Sequence, residues 1–146
     1  ALEVISAWLK SLGDRLPGGF PLGAVIDAMG IVMRNNLFNW GDLHFLQLLS
    51  TAMGTSSACM WATAYFGVHE TTTLIPTYQL MMPLFRRFID DIFGIWTGDD
   101  ESWEQFKRDT NNFGILNWEL EEPSTTINFL DLTITIESNI ITTKTY

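Results

Sequence analysis

The chain has a single cysteine, Cys59, among 146 residues, which excludes an internal disulfide and leaves a small buried hydrophobe as the reading for that thiol. One cysteine and two histidines are too few for a Cys/His zinc cluster. Cations are scarce as well: eight Lys and Arg against seventeen Asp and Glu give a formal net charge of −9. A protein that grips a phosphate backbone unaided usually carries a basic face, so this balance argues against autonomous nucleic-acid binding. Only Arg86-Arg87 and Lys107-Arg108 form basic pairs, and each reads equally well as solvated surface. No basic stretch followed by an apolar block and a small-residue cleavage site opens the chain, so no secretory signal is visible. Repeats, low-complexity tracts and a dividing linker are missing too, and one domain over residues 1–146 is expected.

What is present is apolar. A hydrophobic content of 47% and a mean hydropathy of +0.13 suffice for one core of ordinary domain size. The run from Phe45 to Val68 has no formal charge, yet Gln47, Ser50, Thr51, Ser56, Ser57 and Thr63 make it too polar for a membrane span. It reads as buried interior.

Helical spacing marks Ala1 to Lys10, which starts without a capping residue as if cut mid-helix, and Leu22, Val25, Ile26, Met29 and Met33, ending near Asn35-Asn36. Alternating aromatics around Gly41-Asp42 predict a hairpin over Leu37 to Gln47. A turn at Met53-Gly54-Thr55 precedes a small-residue helix through Ala58, Ala62 and Ala64 toward His69-Glu70, entered at Ser56 or Ser57. Further on, Ser102 to Gln105 matches a capping box, and Trp103, Phe106, Thr110 and Phe113 trace one helical face. Asp99-Asp100-Glu101 lacks the ligand spacing and central Gly of a calcium loop and suits the start of that helix instead. Strands are expected at Leu116 to Glu121, at Ile127 to Ile136, and from Ile140 to the end across Glu137-Ser138-Asn139, where the chain again stops as if truncated.

The most telling stretch is Arg86 to Trp96. Phe88, Ile89, Ile92, Phe93, Ile95 and Trp96 read as two short strands, with Asp90 and Asp91 at or beside a tight turn. Adjacent carboxylates repel and raise each other's pKa unless a cation sits between them, and such a hairpin suits the oxygen-seeking Mg²⁺ ion. A solvated Asp-Asp turn is the plainer alternative.

The order of parts resembles a reverse transcriptase palm, and more narrowly that of the Penelope-like retroelements. The resemblance rests on Thr51 to Thr55, on the Asp90-Asp91 hairpin and on Phe129-Leu130-Asp131-Leu132, and it spans roughly Leu37 to Tyr146. It implies an α+β right-hand polymerase palm, an antiparallel sheet with packed helices, truncated at both ends. It further implies an RNA-directed DNA polymerase using two Mg²⁺ ions, with an RNA template, a DNA primer and deoxynucleoside triphosphates as partners, no membrane, and a place inside the cell, the nucleus included. On this likeness Asp90 and Asp91 are the catalytic metal ligands, while Met53, Gly54, Thr55 and Phe88 contact template or nucleotide. Asp131 belongs to the family's strand signature, but no metal role is carried onto it, since a structural hydrogen bond explains it as well, and its role stays open. Ser56-Ser57 and Cys59 depart from the proline-containing sequence that relatives more often show. The family's further metal-binding Asp comes from an earlier strand. Asp27 sits in a helical run instead, so on this likeness that residue is expected before Ala1. A palm retired from catalysis and kept as a binding module is the alternative, slightly favoured by the charge of −9. A palm-type viral RNA polymerase is less apt, since Ile89 stands where Gly usually precedes the Asp pair.

Overall fold

The computed structural model describes residues 1–48 and 57–145. The chain is α+β, running α1 (Leu2–Leu12), α2 (Leu22–Arg34), β1 (Leu37–Trp40), β2 (Leu43–Leu46), α3 (Ala58–His69), α4 (Ile75–Tyr78), β3 (Leu84–Phe88), β4 (Asp91–Ile95), α5 (Asp100–Asn111), β5 (Thr126–Phe129), β6 (Leu132–Glu137) and β7 (Ile140–Thr145). It forms two compact units, Ala1–Val68 and His69–Tyr146. Every described strand pair is antiparallel, but the strands fall into three small sheets, β1-β2, β3-β4 and β5-β6-β7, rather than one.

In the first unit the predicted periodicity builds the core. Ile5, Met29 and Trp61, one from each of α1, α2 and α3, are buried together, with Leu2, Leu9, Val25 and Met33 against them. Each helix thus buries one stripe, as three- and four-residue spacing requires. The β1-β2 hairpin closes around Gly41-Asp42, with Trp40 opposite Leu43 and Gly41 at φ +59°. That positive φ is the conformation glycine adopts without steric cost.

Two expectations fail here. Phe45, Leu46 and Leu48 are exposed, so the uncharged run is not uniformly interior. Cys59 is exposed as well. It lies just over half a helical turn from Trp61, so the helical phase that buries Trp61 turns the thiol outward.

In the second unit a wider π turn, Glu70–Leu74, leads directly into α4. Pro76 lacks the N–H that an α-helix would direct at the Thr72 carbonyl, and the β-branched Thr71-Thr72-Thr73 run weakens the α ladder further. Helix α5 docks on this segment. Tyr78 donates its hydroxyl to Asp109 Oδ2 at 2.7 Å, and His69 Nε2 donates to the Asp109 carbonyl at 2.7 Å while its ring stacks on Phe113. Burial, reinforced by that carboxylate, pushes the Tyr78 hydroxyl well above its ordinary pKa.

The start of α5 corrects the capping-box reading. Asp99 is the N-cap and its Oδ1 accepts from Ser102 N at 2.9 Å, so Ser102 lies inside the helix. Side-chain and backbone hydrogen bonds from Ser102 hold the Asp99 carboxyl below its usual range.

Leu116 to Glu121 is not a strand. Its backbone finds the side chain of Asn111 instead: Trp118 N donates to Oδ1 at 2.6 Å, and Nδ2 donates to the Trp118 carbonyl at 3.1 Å. The strap is tied again at Glu122, which accepts from Trp103 Nε1 at 2.8 Å and from Lys107 Nζ at 2.7 Å. The Lys107 bond, with help from Trp103, keeps the Glu122 carboxyl below the ordinary value. A carboxyl depressed in the folded state stabilises it above the unfolded pKa and ceases to do so as pH falls through the folded one. The strap should therefore loosen only as pH falls below the ordinary glutamate range, seen as a change in tryptophan emission. Glu122→Gln should start with the strap loosened and lack that acid step.

The predicted strand Ile127 to Ile136 is two strands, because Leu130-Asp131 turns the chain with Phe129 opposite Leu132. Leu130 sits at φ +56°. A side chain costs roughly 1–2 kcal/mol there, so Leu130→Gly is expected to stabilise the unit by about 1 kcal/mol, read from the urea midpoint. The β6-β7 turn follows the expected pattern, with Ser138 and Asn139 both at positive φ as a type I′ hairpin demands.

Candidate metal centre

Strands β3 and β4 pair from Leu84↔Ile95 to Phe88↔Asp91, leaving Ile89-Asp90 as a two-residue turn. The hairpin is as expected, except that Ile89 belongs to the turn. Its base is closed by Thr97 N, which donates to the Met81 carbonyl at 2.8 Å. Asp90 and Asp91 are both exposed. Phe88, at the end of β3, is 55% exposed, an apolar ring beside the carboxylates. Met53, Gly54 and Thr55 lie outside the described residues.

Ile89 carries φ +55°, a conformation that β-branched residues rarely adopt and that costs on the order of 1 kcal/mol or more. A neighbour holds it there. Arg87 Nη1 donates to the Ile89 carbonyl at 2.8 Å. The same guanidinium forks onto Glu70, with Nε to Oε1 at 2.5 Å and Nη2 to Oε2 at 2.9 Å. The two side chains are 6% and 10% exposed. Arg86 is exposed and donates to the Phe85 carbonyl. Alternation along the strand separates the two arginines, so the supposed surface pair is one solvated cation and one buried ion pair.

Lys107, of the other basic pair, is bound to Glu104 and Glu122, which raise its pKa. Arg108 donates to Gln105 Oε1 at 2.8 Å. Asp27 is exposed on α2, in a helix as predicted.

Within the second unit Asp90 and Asp91 border a cavity of about 330 Å³, whose walls include Phe93, Trp96, Phe129 and Ile134. The donor set can be weighed against Mg²⁺, which commonly takes one or two protein carboxylates and leaves its other positions to water and phosphate oxygens. Two adjacent, solvent-facing carboxylates beside an open cavity fit that pattern. Among the described residues no His, Cys, Asp or Glu completes a three-ligand cluster, and Asp131 lies in a separate hairpin turn, between Phe129 and Leu132.

Glu70 is the residue that sequence reasoning missed. Its one visible signal is a carboxylate closing a long uncharged run, a place where an acid needs a buried partner. No helix among the described residues is long and apolar enough to cross a membrane. Comparisons with protein-family models, with curated proteins and with solved structures gave no match.

Proposed function

We propose that the chain is part of a reverse transcriptase palm of Penelope-like type, an RNA-directed DNA polymerase in which Asp90 and Asp91 hold Mg²⁺. The observation that carries this reading is the placement of both carboxylates at the tip of a two-residue β-hairpin, exposed and bordering a cavity. It is supported by the ordered Thr51 to Thr55, Asp-Asp and Phe129 to Leu132 motifs.

Two-metal transfer would have one Mg²⁺ activate a primer 3′-hydroxyl and another neutralise the triphosphate, and the hairpin carboxylates would hold a cation for that chemistry. Asp90 and Asp91 supply fixed negative charge for it, and the exposed Phe88 ring offers an apolar face beside them to a base or sugar. A second metal requires a carboxylate beyond these two. The partners on this reading are an RNA template, a DNA primer and deoxynucleoside triphosphates.

The occupied state of Arg87 and Lys107, together with the net charge of −9, favours a second reading, a palm fold retained as a binding module. Primer extension on an RNA template by the full natural chain separates the two. Mg²⁺-dependent extension supports the polymerase. Template binding without extension supports the module.

A further inference from the structure

The carboxylates at the hairpin tip depend on a turn that their own sequence disfavours, because Ile89 at φ +55° resists the conformation it is held in. The strand ladder ends at Phe88↔Asp91. Beyond it the turn carbonyl is bound by Arg87, and Arg87 is in turn oriented by both oxygens of Glu70. Glu70 reaches β3 from the π turn, the kind of local widening that recurs at functional sites.

Charge makes the arrangement selective. An unpaired arginine this close to Asp90 and Asp91 would neutralise them and compete with any metal. Paired with Glu70, the guanidinium adds no net charge, so the aspartates keep theirs for a cation.

We propose that Glu70 and Arg87 are positioning residues for a divalent cation at Asp90 and Asp91: Glu70 orients and neutralises the guanidinium, and the guanidinium holds the Ile89 carbonyl and hence the turn that presents both carboxylates. This rests on the metal-site reading given above. A packing role alone would make the pair matter for stability but not for cation affinity once the fold is intact.

The test is Mn²⁺ titration of the full natural chain by electron paramagnetic resonance, with circular dichroism to confirm folding and hydrogen exchange at residues 88–91 to follow the turn. Arg87→Lys keeps the charge and loses the fork. Glu70→Gln keeps the shape and uncovers the cation. Each should bind Mn²⁺ about tenfold more weakly or worse, as loss of an outer-sphere partner usually does, and Arg87→Lys should speed exchange in the turn.

Ile89→Gly, which adopts positive φ freely, should restore most of the affinity in the Arg87→Lys background. Parent-like affinity in both folded variants overturns the proposal, and so does a loss that Ile89→Gly leaves unrepaired. Saturable binding by the parent that Asp90→Asn abolishes shows in the same experiment that the metal-site reading stands. Its absence in the parent removes that reading and this proposal together.

Discussion

Arg87→Met is expected to destabilise the His69–Tyr146 unit by about 3–5 kcal/mol, the usual cost of stranding one member of a buried ion pair. The side chains of Arg87 and Glu70 are 6% and 10% exposed, so water cannot replace the lost partner. Methionine roughly fills the aliphatic volume of arginine but leaves both Glu70 oxygens without their fork. It also frees the Ile89 carbonyl and removes the restraint on a left-handed isoleucine. Urea denaturation should show a lower midpoint with an unchanged slope, which assigns the change to stability rather than to compactness. The double exchange Glu70→Leu with Arg87→Met should recover most of the loss, since a packed apolar pair is often as stable as the buried ions it replaces. A single-variant loss below about 1 kcal/mol, the range of exposed pairs, would show that the pair is solvated in solution.

Phe106→Ala should cost a similar amount, about 3–5 kcal/mol. Phe106 is 3% exposed on α5 and lies among three other rings. Tyr78 meets it edge-on at 5.1 Å between centroids, Trp96 at 5.2 Å and Trp103 nearly parallel at 5.5 Å. Truncation removes the ring that joins α4, the end of β4 and α5, and those neighbours are too large to collapse into the space it leaves. Against a typical domain stability of about 5–15 kcal/mol, such a loss should lower the melting temperature by many degrees. Differential scanning calorimetry measures it directly. A shift of only a degree or two would mean that the aromatic cluster closes over the cavity.

The contrast between these residues shows what one sequence discloses. Phe106 and Thr110 were legible from spacing alone, because a helix that buries one face must repeat its buried residues every three or four positions, and both are buried. The Asp-Asp hairpin was legible for a related reason, two carboxylates interrupting a β-prone run. Arg87 was not. Its burial depends on Glu70, seventeen positions earlier, and on strand alternation that splits it from Arg86, and local pattern carries no record of such a partner. The strap at Leu116 to Glu121 misled for the opposite reason. Its alternation is real, since Trp118 and Leu120 are half-buried and Glu119 and Glu121 exposed, but period-two burial needs only an extended chain over a core. A strand also needs a neighbouring backbone, and Asn111 took that place. The single strand expected over Ile127 to Ile136 broke because its turn uses Leu130 at positive φ, without the glycine or asparagine that usually announces a hairpin. Cys59 failed as a core residue through helical phase, which follows only once Trp61 is known to face inward.

Extension of a DNA primer on an RNA template, measured with the full natural chain in Mg²⁺ beside a folded Asp90→Asn variant, tests the central claim most directly. Loss of a metal-holding carboxylate should slow nucleotide addition by a factor on the order of 10² or more, while circular dichroism and template binding stay as in the parent. Extension at an equal rate in both proteins would contradict the assignment of Asp90 to the metal site, and a parent that binds primer and template yet never extends would contradict the polymerase itself.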